Sequence, residues 1–389
     1  MAGSWRNPWI AAGLIALLAV GAAALPSMGW TSALAVLLGL AGVVLLHGNV
    51  WRSGALLFAA VAVAVGLLDL FAGLLAPAAH GVGLVKTAEP VDWLMPDPDL
   101  GYSPRPDTKV VATSTYDGAT VFRVTYTIDD RGTRRSPPAP AGADTYLFLG
   151  ESFMFGQGVG DDETLPAQFA RANDGKVRTI NFSAPGYAPN QLVRAVETGR
   201  LDFLKGEPIK AAVTWIIPAD MSRVTGDESW LASSPRYRLE DGVPRFTGSF
   251  SQYRWSHPLA GLRYVADQNF PFIAAIGLQQ RQEAQAALFS ALLVRLQQLV
   301  RERLNAPLLV LYSWPDETTP ANPGEPVETR KALVKILAGL RARGLSLMSA
   351  EKPTWGNDLS KIVIPHDGHP TAFANALVAT ALKERLLAP

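Results

Sequence analysis

The chain has 389 residues with 35 basic and 34 acidic side chains, a balance that excludes the basic surface typical of nucleic-acid-binding proteins. It contains no cysteine, which excludes disulfides and thiolate metal sites and suits a bacterial protein outside the cytoplasm. Its length allows two or three domains, and the first 80 positions are strongly apolar, whereas the remainder has an ordinary globular composition.

Three long apolar stretches open the chain, at residues 9–28, 30–46 and 54–76. Each has roughly the length at which a helix crosses a bilayer. A cleaved signal peptide would account only for the first stretch. The pattern therefore favours a membrane anchor of three transmembrane helices over residues 1–78.

The orientation of this anchor follows from its few positive charges. Arg6 precedes the first stretch, and Arg52 lies between the second and the third. The positive-inside rule then places the N-terminus in the cytoplasm and the residues after the third stretch on the outer face. We expect a multi-pass protein of the bacterial inner (cytoplasmic) membrane, in contact with membrane lipid, whose main domain faces the periplasm or the exterior.

Asp69 lies inside the third stretch, where an ionisable group is costly and counts as a functional candidate. One interpretation is a protonated carboxyl that is hydrogen-bonded to a neighbouring helix. The other is a docking contact with a polytopic membrane partner.

Residues 79–143 are predicted to form a connector that is rich in proline. Within it, Ala119 to Ile128 is dominated by β-branched and aromatic residues, which indicates a strand. We expect this strand to pair with Lys109 to Thr115 as a hairpin, so that the connector packs as a small β lead-in instead of a free linker.

The residues from 144 to 389 alternate between apolar runs and helical patterns, which indicates an α/β domain with a parallel sheet flanked by helices. Its first apolar run, from Tyr146, ends at Gly150-Glu151-Ser152. A serine on such a turn lies close to free backbone N–H groups and is a candidate nucleophile. The alternative is an ordinary strand-to-helix turn with Ser152 as the N-cap.

The other end of the chain supplies partners for this serine. Asp367 and His369 lie in a loop just before a C-terminal helical pattern. A nucleophilic serine needs a base, and the base needs a third group that holds its tautomer. His366 and His369 lack the third ligand that a catalytic metal site requires, so we expect no metal and no cofactor.

Together these stretches resemble the SGNH (GDSL-like) hydrolase superfamily, over roughly residues 144–389. The resemblance implies a three-layer fold, Ser152 as nucleophile, His369 as base and Asp367 as the acid that orients it. It also implies that Gly186, in the stretch from Ile180 to Tyr187, helps Ser152 to form the oxyanion hole. The stretches 98–102 and 126–134 look like the lead-in of membrane-linked bacterial members.

The chain departs from this family pattern at three places. Glu151 replaces the usual aspartate, and the acid precedes the base by two residues, with His366 where many relatives carry aspartate. The two-residue spacing resembles the alginate O-acetylation branch. Ala219 replaces the asparagine that normally donates to the oxyanion, leaving Asp220, and Asn190 is a candidate substitute. Loss of one such donor typically costs about 10²–10³ in turnover. Arg223 follows in the same stretch as a possible substrate or support residue.

Residues 224–280 form a long insertion with many aromatic side chains and no clear period. They either pack the insertion onto its own domain or line a cleft for a glycan. The whole pattern predicts a membrane-anchored serine esterase or O-acyltransferase. We expect it to work on acetyl esters of a surface carbohydrate, or on another ester, through an acyl-serine. The alternative is a catalytically silent protein that binds glycan or acts as a scaffold in a polysaccharide synthesis complex.

Overall fold

The computed structural model describes residues 83–269, 277–319 and 327–387, together with Val63 and Ala274. Apart from Val63, the three predicted membrane stretches lie outside the described residues, as does Asp69. Within the described part of the chain, no helix combines the length and the hydropathy needed to cross a bilayer. The chain divides into two compact units, one made of residues 81–256 and 281–389 and the other of residues 1–80 and 257–280.

The lead-in from residue 81 belongs to the same compact unit as the α/β domain. The aromatic insertion is divided, with residues 224–256 in this unit and residues 257–280 in the other.

The described strands, in chain order, are β1 Val85–Glu89, β2 Leu94–Asp97, β3 Gly101–Pro104, β4 Thr108–Tyr116, β5 Ala119–Ile128, β6 Thr145–Gly150, β7 Arg178–Ser183, β8 Ile209–Ile216, β9 Pro235–Glu240, β10 Val243–Ser249, β11 Leu308–Tyr312 and β12 Ser346–Ser349.

The centre of the larger unit is a five-stranded sheet in the order β12-β11-β8-β6-β7, in which all neighbours are parallel. Strands of a parallel sheet are buried on both faces and therefore read as continuous apolar runs. The central strand β6 is buried at all six positions. At the edge, β7 is buried only at alternate positions.

Helices cover both faces of this sheet. The described helices are α1 Ser152–Phe155, α2 Leu165–Ala172, α3 Pro189–Glu197, α4 Asp220–Arg223, α5 Phe250–Ser256, α6 Pro258–Asn269, α7 Leu278–Leu304, α8 Val327–Ala342, α9 Leu359–Ile362 and α10 Ala372–Leu387. Since side chains alternate along a strand, Leu147 and Leu149 of β6 pack with α3, α7 and α8, whereas Tyr146 and Phe148 pack with α2 and α10. The larger unit is therefore a three-layer α/β fold.

The lead-in contains a second, antiparallel sheet in the order β1-β4-β5. Its β4–β5 hairpin includes the pairing expected between residues 109–115 and 119–128. In the insertion, β9 and β10 form another hairpin, and Tyr237 of β9 and Phe250, which follows β10, are buried.

One buried side chain joins the lead-in to the α/β domain. Arg134 is fully buried, and its guanidinium donates to the carbonyl oxygens of Phe155, Gly156 and Val159 at 3.1, 3.2 and 2.9 Å. Its Nε donates to Asp161 Oδ1 at 3.0 Å, and its backbone N–H donates to the carbonyl of Asn181 in β7. These contacts hold the loop that follows Ser152.

We predict that Arg134→Ala lowers the free energy of unfolding by about 3 kcal/mol or more, because it removes the charged partner of Asp161 and the guanidinium donor of three buried carbonyls. Urea unfolding of the purified chain measures this change. The exposed Arg238 on β9 is a matched control, and Arg238→Ala should change stability by less than about 0.5 kcal/mol. Equal effects of the two substitutions would show that Arg134 does not hold the loop.

Candidate active site

Ser152 lies where the central strand of the sheet ends. Strand β6 stops at Gly150, and Ser152 is the first residue of the short helix α1. Glu151 caps this helix, since its carboxylate accepts the N–H of Phe153 at 2.9 Å. The N-cap is therefore Glu151 and not Ser152, and the same Glu151 oxygen also accepts a hydrogen bond from the Ser152 hydroxyl.

The structure brings Ser152 together with both of its predicted partners. His369 Nε2 lies 2.8 Å from Ser152 Oγ, and His369 Nδ1 is in hydrogen-bond contact with Asp367 Oδ1. A base within hydrogen-bond distance of the hydroxyl, itself held by a carboxylate, is the arrangement that activates a serine nucleophile.

A lysine of the lead-in completes this arrangement. Lys86 of β1 places its Nζ 2.6 Å from Asp367 Oδ2, and the Asp367 side chain is fully buried. Burial raises the pKa of Asp367, but the contacts with His369 and Lys86 outweigh burial and hold this pKa below its usual value. Asp367 therefore stays ionised. Sequence reasoning missed Lys86, because a lysine on a short, mostly exposed strand carries no signal of such a contact.

Two backbone N–H groups are positioned to serve as oxyanion donors. Ser152 begins helix α1, and the first N–H groups of a helix have no helical partner. Gly186 has a φ of 80°, and a Cβ there would lie 2.8 Å from both Tyr102 Oη and Trp230 Nε1. A side chain at this position would collide with those two groups, so glycine is required, and Gly186 lines the same cavity as Ser152.

Asn190, the predicted substitute for the missing asparagine, lies elsewhere. It is fully buried in α3, and its amide donates to the carbonyl of Pro235 at 2.7 Å. It does not line the cavity at Ser152. This geometry thus ties Asn190 to the β9 hairpin and gives no support to an oxyanion role.

The cavity at Ser152, called the serine cavity below, has a volume of about 640 Å³. Besides Ser152, Asp367 and His369, it is lined by Gly186, Arg223, Lys86, Tyr102, Phe153 and Trp230, among others. Trp230, from the aromatic insertion, is 51% exposed and lies beside Gly186. His366 is not part of this lining; its ring stacks on Tyr116 at 3.8 Å.

Below Ser152 lies a pair of buried carboxyl groups. Glu151 Oε2 is 2.8 Å from Ser152 Oγ, and Arg223 donates to Asp220 Oδ1 at 2.9 Å. Burial raises the pKa of Glu151, and burial together with the charge of Glu151 raises the pKa of Asp220 to about 8. Both buried carboxyls are therefore protonated more readily than carboxyls in water.

None of the described residues forms a cluster of histidine, aspartate and glutamate suited to a metal ion. The groups that converge at Ser152 are instead those of nucleophilic acyl transfer: a hydroxyl, a base, an orienting acid and free N–H donors.

The chain matches no family model, and no curated protein matches it. Similar solved structures include Axe2, an acetylxylan esterase from Geobacillus stearothermophilus (10% identity, 63% of this chain and 95% of that one, TM-score 0.36). Another is a lipase/acylhydrolase from Enterococcus faecalis (13% identity, 62% of this chain and 96% of that one, TM-score 0.35). A third is SsfX3, a salicylyl-acyltransferase from a tetracycline biosynthetic pathway (16% identity, 64% of this chain and 55% of that one, TM-score 0.33). Similarity this distant does not identify the chemistry, which follows from the site itself.

We predict that the free energy of unfolding of the Asp220→Asn variant rises relative to that of the native chain between pH 5 and pH 8. Folding raises the pKa of the Asp220 carboxyl from 3.8 to about 8, so between these pH values the folded chain binds more protons here than the unfolded chain does. The native chain therefore loses stability as the pH rises from 5 to 8. The amide that replaces this carboxyl does not titrate, and the difference in unfolding free energy should grow by roughly 1 kcal/mol or more. Urea unfolding at both pH values measures it.

The exposed Asp130 provides the control for this prediction. Asp130→Asn should show the same pH dependence of stability as the native chain. If Asp220→Asn also followed the native dependence, folding would not raise the pKa of Asp220.

Proposed function

We propose that this chain is a serine-dependent carboxylic ester hydrolase or O-acyltransferase of the SGNH type. The observation that carries the proposal is the continuous contact from Ser152 through His369 to the buried Asp367, beside the free N–H donors at Ser152 and Gly186. The position of Ser152 directly after a central parallel strand agrees with the SGNH pattern that the sequence resembles.

In this mechanism Ser152 Oγ attacks the ester carbonyl carbon while His369 Nε2 takes the hydroxyl proton. The carbonyl oxygen becomes an oxyanion that accepts hydrogen bonds from the N–H groups of Ser152 and Gly186. Collapse breaks the bond to the alcohol oxygen, which takes the proton from His369, and leaves an acyl-serine. Water or a second hydroxyl then attacks this ester, again through His369, and releases the acyl group from Ser152.

The alcohol side of the substrate is proposed to be a cell-surface carbohydrate. Tyr102 and the half-exposed Trp230 line the serine cavity, and aromatic faces of this kind stack against sugar rings. The three apolar stretches before residue 77 support an anchor in the bacterial inner membrane that presents this domain to the periplasm or exterior. The two-residue spacing of Asp367 and His369, which resembles the alginate O-acetylation branch, supports the same substrate class.

A silent glycan-binding or scaffold protein is the second candidate function. Ala219 favours it, because the expected oxyanion amide is absent at that position. The assembled contact of Ser152, His369 and Asp367 opposes it, since binding alone requires no activated hydroxyl.

We predict that the native chain hydrolyses p-nitrophenyl acetate and is labelled by a fluorophosphonate at Ser152, and that Ser152→Ala abolishes both. Mass spectrometry of the labelled peptide locates the adduct. Ser233 is exposed and lies outside the serine cavity, so Ser233→Ala is the matched control with unchanged labelling. A native chain that neither hydrolyses the ester nor forms the adduct would establish the silent protein instead.

We further predict that Asp367→Asn lowers kcat by about 10³- to 10⁴-fold, because the amide holds His369 in the wrong tautomer. Lys86→Met keeps the carboxylate and should cost only about tenfold, the scale of one lost contact to a charged group. Steady-state kinetics on the same ester measure both. A loss below tenfold for Asp367→Asn would remove Asp367 from the mechanism.

A comparison in cells separates hydrolysis from transfer. The cells carry the Ser152→Ala variant in place of the native chain. If the native chain is an esterase, the surface carbohydrate of these cells should carry more ester-linked acyl groups. If it is a transferase, the carbohydrate should carry fewer. Unchanged acylation of every surface carbohydrate would contradict the proposed substrate class.

A further inference from the structure

A second cavity of about 520 Å³ adjoins the serine cavity. The two share three lining residues, Phe153, Ile217 and Gly368. Phe153 is half-buried and forms the common wall: its ring centroid is 5.2 Å from that of His369 and 5.5 Å from that of Trp215 in the second cavity. The ring of Phe153 therefore lies between the second cavity and His369, the proposed catalytic base.

The lining of the second cavity is largely apolar. Trp215, Ala350 and Val378 form buried parts of its wall, and Trp355, which is 44% exposed, lies at its edge. Two hydroxyl groups of the lining are already engaged. Ser313 accepts the Trp215 indole N–H at 2.8 Å, and Thr354 donates to the carbonyl of Glu351 at 2.7 Å. Such a surface suits a hydrocarbon group better than a sugar.

Ala219 is part of the wall of this cavity. It lies at the start of α4, is exposed, and lines the second cavity with only a methyl group. The residue that looked like a lost oxyanion donor therefore contributes to an apolar cavity next to the nucleophile.

We propose that the second cavity binds the acyl part of the substrate, and that this acyl group is an aliphatic chain longer than acetyl. The inference rests on the proposed function, since it assigns the two halves of an ester to two cavities. The alcohol lies in the serine cavity, with its aromatic and charged lining, and the acyl chain lies along Phe153 in the second cavity. In the acyl-serine, the new Oγ–C bond would leave the chain in that cavity while the alcohol departs.

The experiment compares kcat/KM for p-nitrophenyl acetate, butyrate, hexanoate and octanoate with the native chain and two variants. Each methylene that enters an apolar cavity contributes about fourfold, so the native chain should prefer hexanoate over acetate by at least tenfold. Ala219→Phe should fill the cavity and lower the hexanoate/acetate ratio at least tenfold. Ala342→Phe, at an exposed alanine that lines neither cavity, should leave this ratio unchanged.

The outcomes distinguish this inference from the proposed function. Acetate turnover that exceeds hexanoate turnover, or a native ratio retained in Ala219→Phe, would overturn the acyl cavity and leave the serine mechanism intact. A native chain that turns over none of the four esters and gives no fluorophosphonate adduct at Ser152 would overturn both. Thermal unfolding of Ala219→Phe checks that this variant still folds.

A binding measurement tests the acyl cavity independently of turnover. The probe is hexylboronic acid, whose boron bonds to the serine oxygen and whose alkyl chain resembles that of hexanoate. A higher Kd in Ala219→Phe than in the native chain supports the acyl cavity, and an unchanged Kd would contradict it.

Discussion

The active-site geometry depends on the burial of Arg134. Its guanidinium lies against the rings of Tyr126 and Phe155, at 4.2 and 4.7 Å, and donates to the carbonyls that end helix α1. A buried guanidinium is tolerated only where its donors are used, and here an acidic partner and three carbonyls use them. One side chain of the lead-in thereby holds the turn on which Ser152 sits, so the lead-in is part of the catalytic unit.

The lead-in acts on the other half of the site through charge. Lys86 of β1 reaches Asp367, which lies at the far end of the chain, and helps this buried carboxylate to remain ionised. In the proposed mechanism, an ionised Asp367 stabilises the imidazolium that would form when His369 takes the serine proton. Below the nucleophile the opposite condition holds, because burial raises the pKa values of both Glu151 and Asp220, and the charge of Glu151 raises that of Asp220 further. The site thus places an ionised acid beside the base and two buried acids with raised pKa values under the serine.

Much of the fold and part of the site were predictable from the sequence. The apolar runs that become β6, β8 and β11 are buried on both faces, and this burial produces a signal that needs no knowledge of the partners. Ser152 and His369 were identifiable because Ser152 follows the apolar run of β6 and His369 precedes the helical pattern of α10. Lys86 and Arg134 were not, because a charged side chain in a lead-in looks like a solvated one until its partners are known. The contact of Asn190 with Pro235, which gives no support to an oxyanion role, was not predictable for the same reason, since this partner lies 45 positions away.

The sequence by itself determined the alternation of strands and helices and placed the chemically useful residues at strand ends. This is possible because hydrophobic period and turn residues are local properties of the chain. Only the tertiary structure decided that His369 meets Ser152 across 217 positions, that Lys86 reaches Asp367, and that Ala219 lines an apolar cavity instead of an oxyanion site. Such contacts depend on the order of strands in the sheet and on the packing of loops at its edge, which local pattern does not encode.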